Sequence, residues 1–185
     1  LPIGIVGGTI IASMLPILGL LTYFGIDGPV DYGPTALTLG ATLLYVLVAG
    51  IVIASVCGYM AGLIGASNSP ISGVGILASL GISLLLLAIF GRVDDAGATK
   101  GLVAFALFVT AIVFGIATIS NDNLQDLKTG QLVGATPWRQ QIALVLGVIF
   151  GALVIPPILD LLNSTFGFQG APGAGKDALA APQAA

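Results

Sequence analysis

The polar residues best placed to do chemistry lie inside a long uncharged stretch. Between residues 57 and 75, Ser67, Asn68 and Ser69 stand among five glycines and one proline. Their hydroxyl and amide groups donate and accept hydrogen bonds, and a helix broken at membrane depth adds free backbone groups that can bind a substrate or coupling ion. The candidate pathway residues are Tyr59, Gly65, Ser67, Asn68, Ser69 and Pro70. Two alternatives stay open: the stretch can be an ordinary exposed loop, and Tyr59 an interfacial anchor.

A second group of polar residues follows at 120–130. Asp122 and Asp126 are four residues apart and would share one face of a helix. A carboxylate near the end of a membrane span can relay protons or meet a cationic substrate amine. The alternative is a solvated connecting helix that Ser120 caps. The candidates for proton coupling are Asn121, Asp122, Asn123, Gln125 and Asp126.

The composition places both groups in a membrane protein. Of the 185 residues, 57% are hydrophobic and only 7% are charged, whereas soluble domains carry about 25% charged residues. This excludes a soluble enzyme domain, a disordered chain and a nucleic-acid-binding protein, which needs a basic surface. The sequence has no His, no Glu and a single cysteine, Cys57. We therefore expect no enzymatic activity, no metal site and no cofactor.

The few charges mark the ends of hydrophobic segments. Uncharged stretches at 1–26, 101–121 and 140–159 each match the about 20 residues that cross a bilayer. The uncharged stretch 32–91 would be about 90 Å long as one helix, so it must fold back at its glycine-rich centre. The predicted segments are 1–26, 36–56, 71–90, 101–120 and 140–162.

These segments predict an all-α, polytopic membrane protein with a discontinuous or re-entrant break. Their apolar residues do not alternate as barrel strands would, and lipid leaves helices as the other solution. We expect a transmembrane region over 1–168 in contact with the lipid bilayer. Hydroxyl groups inside it should hydrogen-bond between helices. These residues are Thr38, Thr42, Tyr45, Ser79, Ser83, Thr110 and Thr118.

The tail at 169–185 is rich in Gly, Ala and Pro and predicts a linker. Residues 170–177 match the spacing of a phosphate-binding loop, G-x-x-x-x-G-K. However, Asp177 stands where a Ser or Thr would bind magnesium, and a hydrophobic segment precedes the loop instead of a strand. We therefore expect no nucleotide binding. Because the chain begins with Leu1 and ends within this tail, we expect a truncated linker and a piece of a longer protein.

Two blocks of the sequence resemble the oligopeptide transporter (OPT) family, as in a bacterial-type member. Residues 58–73, Gly-Tyr-Met-Ala-Gly-Leu-Ile-Gly-Ala-Ser-Asn-Ser-Pro-Ile-Ser-Gly, look like the family signature. Many members carry Asn-Asn-Pro where this chain has Asn-Ser-Pro at 68–70. Residues 122–137 are similar to a second family block, and 180–184 resemble a segment that runs onward into further helices.

The resemblance implies a proton-coupled secondary transporter with more helices than this chain contains. Members of the family move small peptides, and the yellow-stripe-like branch moves metal chelates. The implied partners are therefore a small peptide or a metal chelate, protons, and the remaining helices of the full-length transporter. The implied location is the plasma membrane, or the inner membrane of a bacterium.

Other classes of membrane protein stay open. A channel would use the 58–73 break as a selectivity filter. A membrane scaffold would need no polar break.

Overall fold

The computed structural model describes residues 3–26, 36–65 and 69–166, and the described chain is almost entirely helical. The helices are α1 (Ile3–Ile26), α2 (Ala36–Ile64), α3 (Ile71–Phe90), α4 (Ala96–Leu132) and α5 (Pro137–Phe166). Strands are absent from these described ranges. Each of the five helices is long and apolar enough to cross a membrane. The predicted all-α, polytopic architecture with five segments is confirmed.

Two helices are longer than the hydrophobic segments that predicted them. Helix α2 continues past residue 56 to Ile64, and α4 covers Ala96–Leu132 instead of 101–120. Exposed amide and carboxylate side chains leave the backbone hydrogen bonds of a helix intact, so charges mark where the apolar surface ends and not where the helix ends. The expectation of a non-helical break over 57–75 is wrong in extent, because residues 65–70 alone separate α2 from α3.

The chain forms two compact units, residues 1–129 and 130–185. The first unit contains α1, α2, α3 and most of α4. In the second unit, Gly134 takes a left-handed conformation with φ of 73°, which allows α4 to end and α5 to begin three residues later. The described side chains of α5 are mostly exposed, as expected for a helix that faces lipid or other helices.

The core of the first unit is built from residues spaced four apart, which lie on one face of a helix. The buried rows are Val74, Ala78, Ile82 and Leu86 on α3 and Phe105, Val109, Val113 and Ala117 on α4. Leu21 of α1 and Val46 of α2 complete the same cluster. The ring of Phe24 stacks on that of Phe108, with centroids 4.3 Å apart, and this contact holds α1 against α4.

Close contacts show that α2 and α4 run parallel. A Cβ atom added to Gly50 would lie 3.1 Å from the Ile116 side chain. One added to Gly58 would lie 2.7 Å from the Ser120 Oγ and 3.3 Å from Leu124 Cγ. Residue numbers therefore rise together along the two helices. The small glycine surfaces allow the backbones to approach closely, as is common between membrane helices.

Helices α3 and α4 run antiparallel. Near the start of α3, Val74 packs in one buried cluster with Cys57 and Ala117. Near the other end, Gly91 and Thr99 line the same groove. The beginning of α3 thus lies beside the second half of α4, and this register positions the candidate site.

Hydroxyl groups connect helices less often than predicted. The Tyr45 hydroxyl of α2 donates a 2.7 Å hydrogen bond to the carbonyl of Ala78 in α3, as expected. Other hydroxyls instead donate to carbonyls three or four residues earlier in their own helix, which is a common arrangement for Ser and Thr in helices. These are Ser79, Ser83, Thr110 and Thr118.

Candidate functional site

The connection between α2 and α3 carries most of the predicted pathway residues. Gly65 ends α2 with φ of 86°, and its backbone N–H donates to a carbonyl one turn earlier at 3.1 Å. Ser67 and Asn68 lie outside the described residues. Ser69 follows as a bend, and Pro70 occupies the N-cap position of α3. The break is thus a short passage between two helix ends.

Tyr59 lies on α2 and not in the connection. Its side chain is 68% exposed, and it shares an exposed face with Val56 and Leu63, three and four residues away. The glycine at 58 did not interrupt the helix, because its lack of a side chain serves the contact with α4. Participation of Tyr59 in the substrate pathway stays a prediction.

The polar cluster belongs to the last third of α4. The expected cap at Ser120 is not formed, because α4 is helical on both sides of this residue. Its Oγ instead donates a 2.7 Å hydrogen bond to the carbonyl of Ala54 in α2. Asp122, Gln125 and Asp126 are exposed, and Asn123 is half-buried. The cluster is therefore one face of a continuous helix that is fixed to α2.

Asn121 differs from its polar neighbours because it is buried. Its side chain is 2% exposed, and its Oδ1 has no hydrogen-bond partner. An unpaired buried amide oxygen costs about 1–3 kcal/mol, so each such group in a native protein requires an explanation. Asn121 stands one turn beyond Ala117 on the buried face of α4. The spacing of four from Phe105 onward was visible in the sequence and could have identified it.

The helix register brings Asn121 to the beginning of α3. Val74 and Ala117 share one cluster, and the helices are antiparallel. Pro70 lies one turn before Val74, and Asn121 lies one turn after Ala117, so both are displaced in the same direction from that contact. The adjacent Ser69 also has a buried Oγ without a hydrogen-bond partner. The structure therefore joins the connection and the polar part of α4 in one site.

Backbone groups add donors to these two acceptors. The Ile71 N–H donates to the Ser69 carbonyl at 2.8 Å, and the Val74 N–H donates to the Pro70 carbonyl at 3.0 Å. Pro70, as N-cap, has no side-chain acceptor for the other N–H groups of the first turn. The first turn of α3 also carries the positive end of the helix dipole. The site can therefore bind a ligand that has both hydrogen-bond donors and acceptors.

Comparison with known proteins identifies the chain. The model of the family described as OPT oligopeptide transporter protein matches residues 4–185. The chain belongs to the OPT family. Over 182 residues, or 95% of its length, it is 45% identical to "Putative oligopeptide transporter" from Haemophilus influenzae. OPT membership and the five apolar helices together establish an integral protein of the plasma membrane, which in a bacterium is the inner membrane.

More distant OPT relatives come from rice. Over 47% of the chain, identity is 31% to "Probable metal-nicotianamine transporter YSL10" and 32% to "Probable metal-nicotianamine transporter YSL12", both from Oryza sativa subsp. japonica. The chain spans 29% of the length of the Haemophilus protein and 13% of that of the YSL10 protein. No solved structure matches the chain.

Proposed function

We propose that this OPT chain is part of a secondary transporter that takes up small peptides together with protons. The observation that carries the proposal is the meeting of Asn121 with the start of α3 inside an otherwise apolar helical unit. Interrupted helices in membrane proteins place helix ends where substrates and coupling ions bind. The higher identity and coverage of the Haemophilus relative favour a peptide over a metal chelate as substrate.

The proposed substrate pathway runs past the connection between α2 and α3. Ser69 and Pro70 begin α3, and Asn121 faces them from α4 by the register above. Irregular backbone within a membrane is tolerated where it lines a protein or water-filled cavity. Ser67 and Asn68 belong to this pathway by their place between Gly65 and Ser69 in the sequence.

Proton coupling is proposed for Asp122 and Asp126. Both are exposed on α4, and α2 beside them is uncharged over all its 29 residues. Ionisable groups next to such apolar surface are costly in lipid, and in transporters they serve proton relays. Because residues 122 and 126 are one helical turn apart, a proton could pass between them along one face of α4.

Uptake by the full-length protein in proteoliposomes tests the coupling. A labelled tripeptide should accumulate when a proton gradient is imposed and stop accumulating when the gradient is dissipated. Joint replacement Asp122→Asn and Asp126→Asn should abolish the response to the gradient. Asp160→Asn on α5 is the matched control and should leave it intact. Gradient-independent accumulation, or unitary currents typical of a channel, would contradict the proposal.

A second experiment tests the pathway. Ser67→Ala combined with Asn68→Ala should strongly reduce tripeptide uptake at unchanged abundance in the membrane. The matched control combines Ser164→Ala and Asn163→Ala on α5, and we expect normal uptake. Equal uptake by both double variants would remove the connection from the pathway.

A further inference from the structure

We infer that the first turn of α3 binds the free C-terminal carboxylate of the peptide and that the Oδ1 of Asn121 accepts the N–H of its last peptide bond. The inference rests on the proposed peptide transport and adds which end of the substrate is recognised. Three features carry it: the position of Asn121, the donors at the start of α3, and the order of donors and acceptors in a peptide terminus.

Position comes first. Asn121 continues the buried face of α4 through Ala117, and Ala117 packs with Val74. The Ser120 hydrogen bond to α2 at 2.7 Å fixes the rotation of α4 at this level. The amide of Asn121 is therefore held inside the helical unit, at the level of Pro70 and Ser69. Its 2% exposure and unpaired Oδ1 mark it as a group that a bound donor would satisfy.

The beginning of α3 provides the complementary charge. The helix has 20 residues and no acidic residue in its first turn, so no carboxylate of its own competes for the dipole. Ser72 and Gly73 are exposed, and a Cβ added to Gly73 would meet no described atom within 4 Å. Their N–H groups are accessible to a ligand, and helix N-termini are effective sites for carboxylates.

A peptide C-terminus fits this arrangement because of its chemistry. Its carboxylate accepts hydrogen bonds, and the N–H of its last residue, two bonds away, donates one. The site offers backbone donors at the start of α3 beside the acceptor oxygens of Asn121 and Ser69. Arg92 lies beyond the opposite end of α3, so the helix terminus and not an arginine supplies the positive potential here. A ligand without a carboxylate would use only half of the site.

Competition for uptake of labelled trialanine by the full-length transporter tests the inference. Unlabelled trialanine, trialanine amide and trialanine with an N-methylated last peptide bond serve as competitors. We expect the amide and the N-methyl peptide each to compete about tenfold or more weakly, since a charge-assisted hydrogen bond contributes about 1.5–3 kcal/mol, and 1.4 kcal/mol corresponds to tenfold. Equal competition by trialanine and its amide would overturn the inference while leaving peptide transport standing. Absence of uptake of every peptide would overturn both.

Variants of Asn121 assign the roles. Asn121→Leu keeps the approximate volume but removes the acceptor, so the N-methyl peptide should lose its disadvantage relative to trialanine. Asn121→Asp places a negative charge beside the carboxylate and should weaken trialanine more than its amide. Asn163→Asp on α5 is the matched control and should alter neither ratio. Retention of the N-methyl disadvantage in Asn121→Leu would remove Asn121 from the site.

Discussion

Replacement of Gly81 by Ala tests the packing of α2 against α3. A Cβ at this position would lie 2.7 Å from the hydroxyl oxygen of Tyr45 and 3.1 and 3.2 Å from its ring atoms Cε2 and Cζ. The same hydroxyl donates a 2.7 Å hydrogen bond to the carbonyl of Ala78. The ring therefore cannot move away from the new methyl group without stretching that bond.

The magnitude follows from three opposing contributions. Overpacking of a rigid ring costs about 1–3 kcal/mol. Weakening an interhelical hydrogen bond within a membrane protein costs about 0.6 kcal/mol on average and at most about 1.7. Alanine is favoured over glycine in a helix by about 1 kcal/mol. Gly81→Ala should therefore destabilise the folded protein by about 1–3 kcal/mol.

The measurement is the free energy of unfolding of the intact transporter, titrated with SDS in mixed micelles. Gly62→Ala is the matched control, because a Cβ there would meet no described atom within 4 Å, and it should be neutral or mildly stabilising. In a Tyr45→Phe background, Gly81→Ala should cost less, since the nearest oxygen is gone. Equal stability of the Gly81→Ala and Gly62→Ala variants would refute the contact with Tyr45.

Three further predictions concern the surroundings of the site. Gly58→Ala should cost about 1 kcal/mol in the same titration, because Ser120 must rotate and lose its hydrogen bond to Ala54; in a Ser120→Ala background the cost should shrink. Gly65→Ala should cost about 1–2 kcal/mol, because φ of 86° is a left-handed conformation that disfavours a side chain; an unchanged unfolding midpoint would contradict this. Asn121→Leu should leave stability unchanged or raise it by about 1 kcal/mol, since an unpaired amide is removed, while peptide uptake falls; equal losses of both would indicate a purely structural residue.

The five helices were predictable because charges delimit them. Lipid exposure forces uncharged runs to be helical, and these runs remain visible in the sequence. The ends of α2 and α4 were not predictable in the same way. Helix α4 carries Asp122 and Asp126 on an exposed face without ending, and α2 passes through Gly58, whose missing side chain makes room for Ser120 and Leu124. Such a glycine interrupts a helix in water more readily than one in a packed pair of membrane helices.

The candidate site was predictable in its parts but not in its assembly. The sequence identifies polar residues at 67–69 and 121–126 but gives no distance between them. Their meeting depends on the antiparallel register of α3 and α4, which the contact of Val74 with Ala117 sets. Which member of 121–126 is buried depends on the rotation of α4, which the hydrogen bond from Ser120 fixes. Both contacts join residues more than 40 positions apart.

The proposed binding mode offers a physical reason for coupling peptide uptake to protons. A carboxylate bound at the start of α3 would lie near Asp122, which directly follows Asn121 on α4, with Asp126 and the cationic Lys128 one and two turns farther on. Two negative charges about 8 Å apart repel by roughly 2 kcal/mol at an effective dielectric constant of about 20. Protonation of Asp122 would remove this repulsion, so a proton and a peptide would each strengthen the binding of the other by the same factor. A substrate without a carboxylate would lose this linkage together with its affinity.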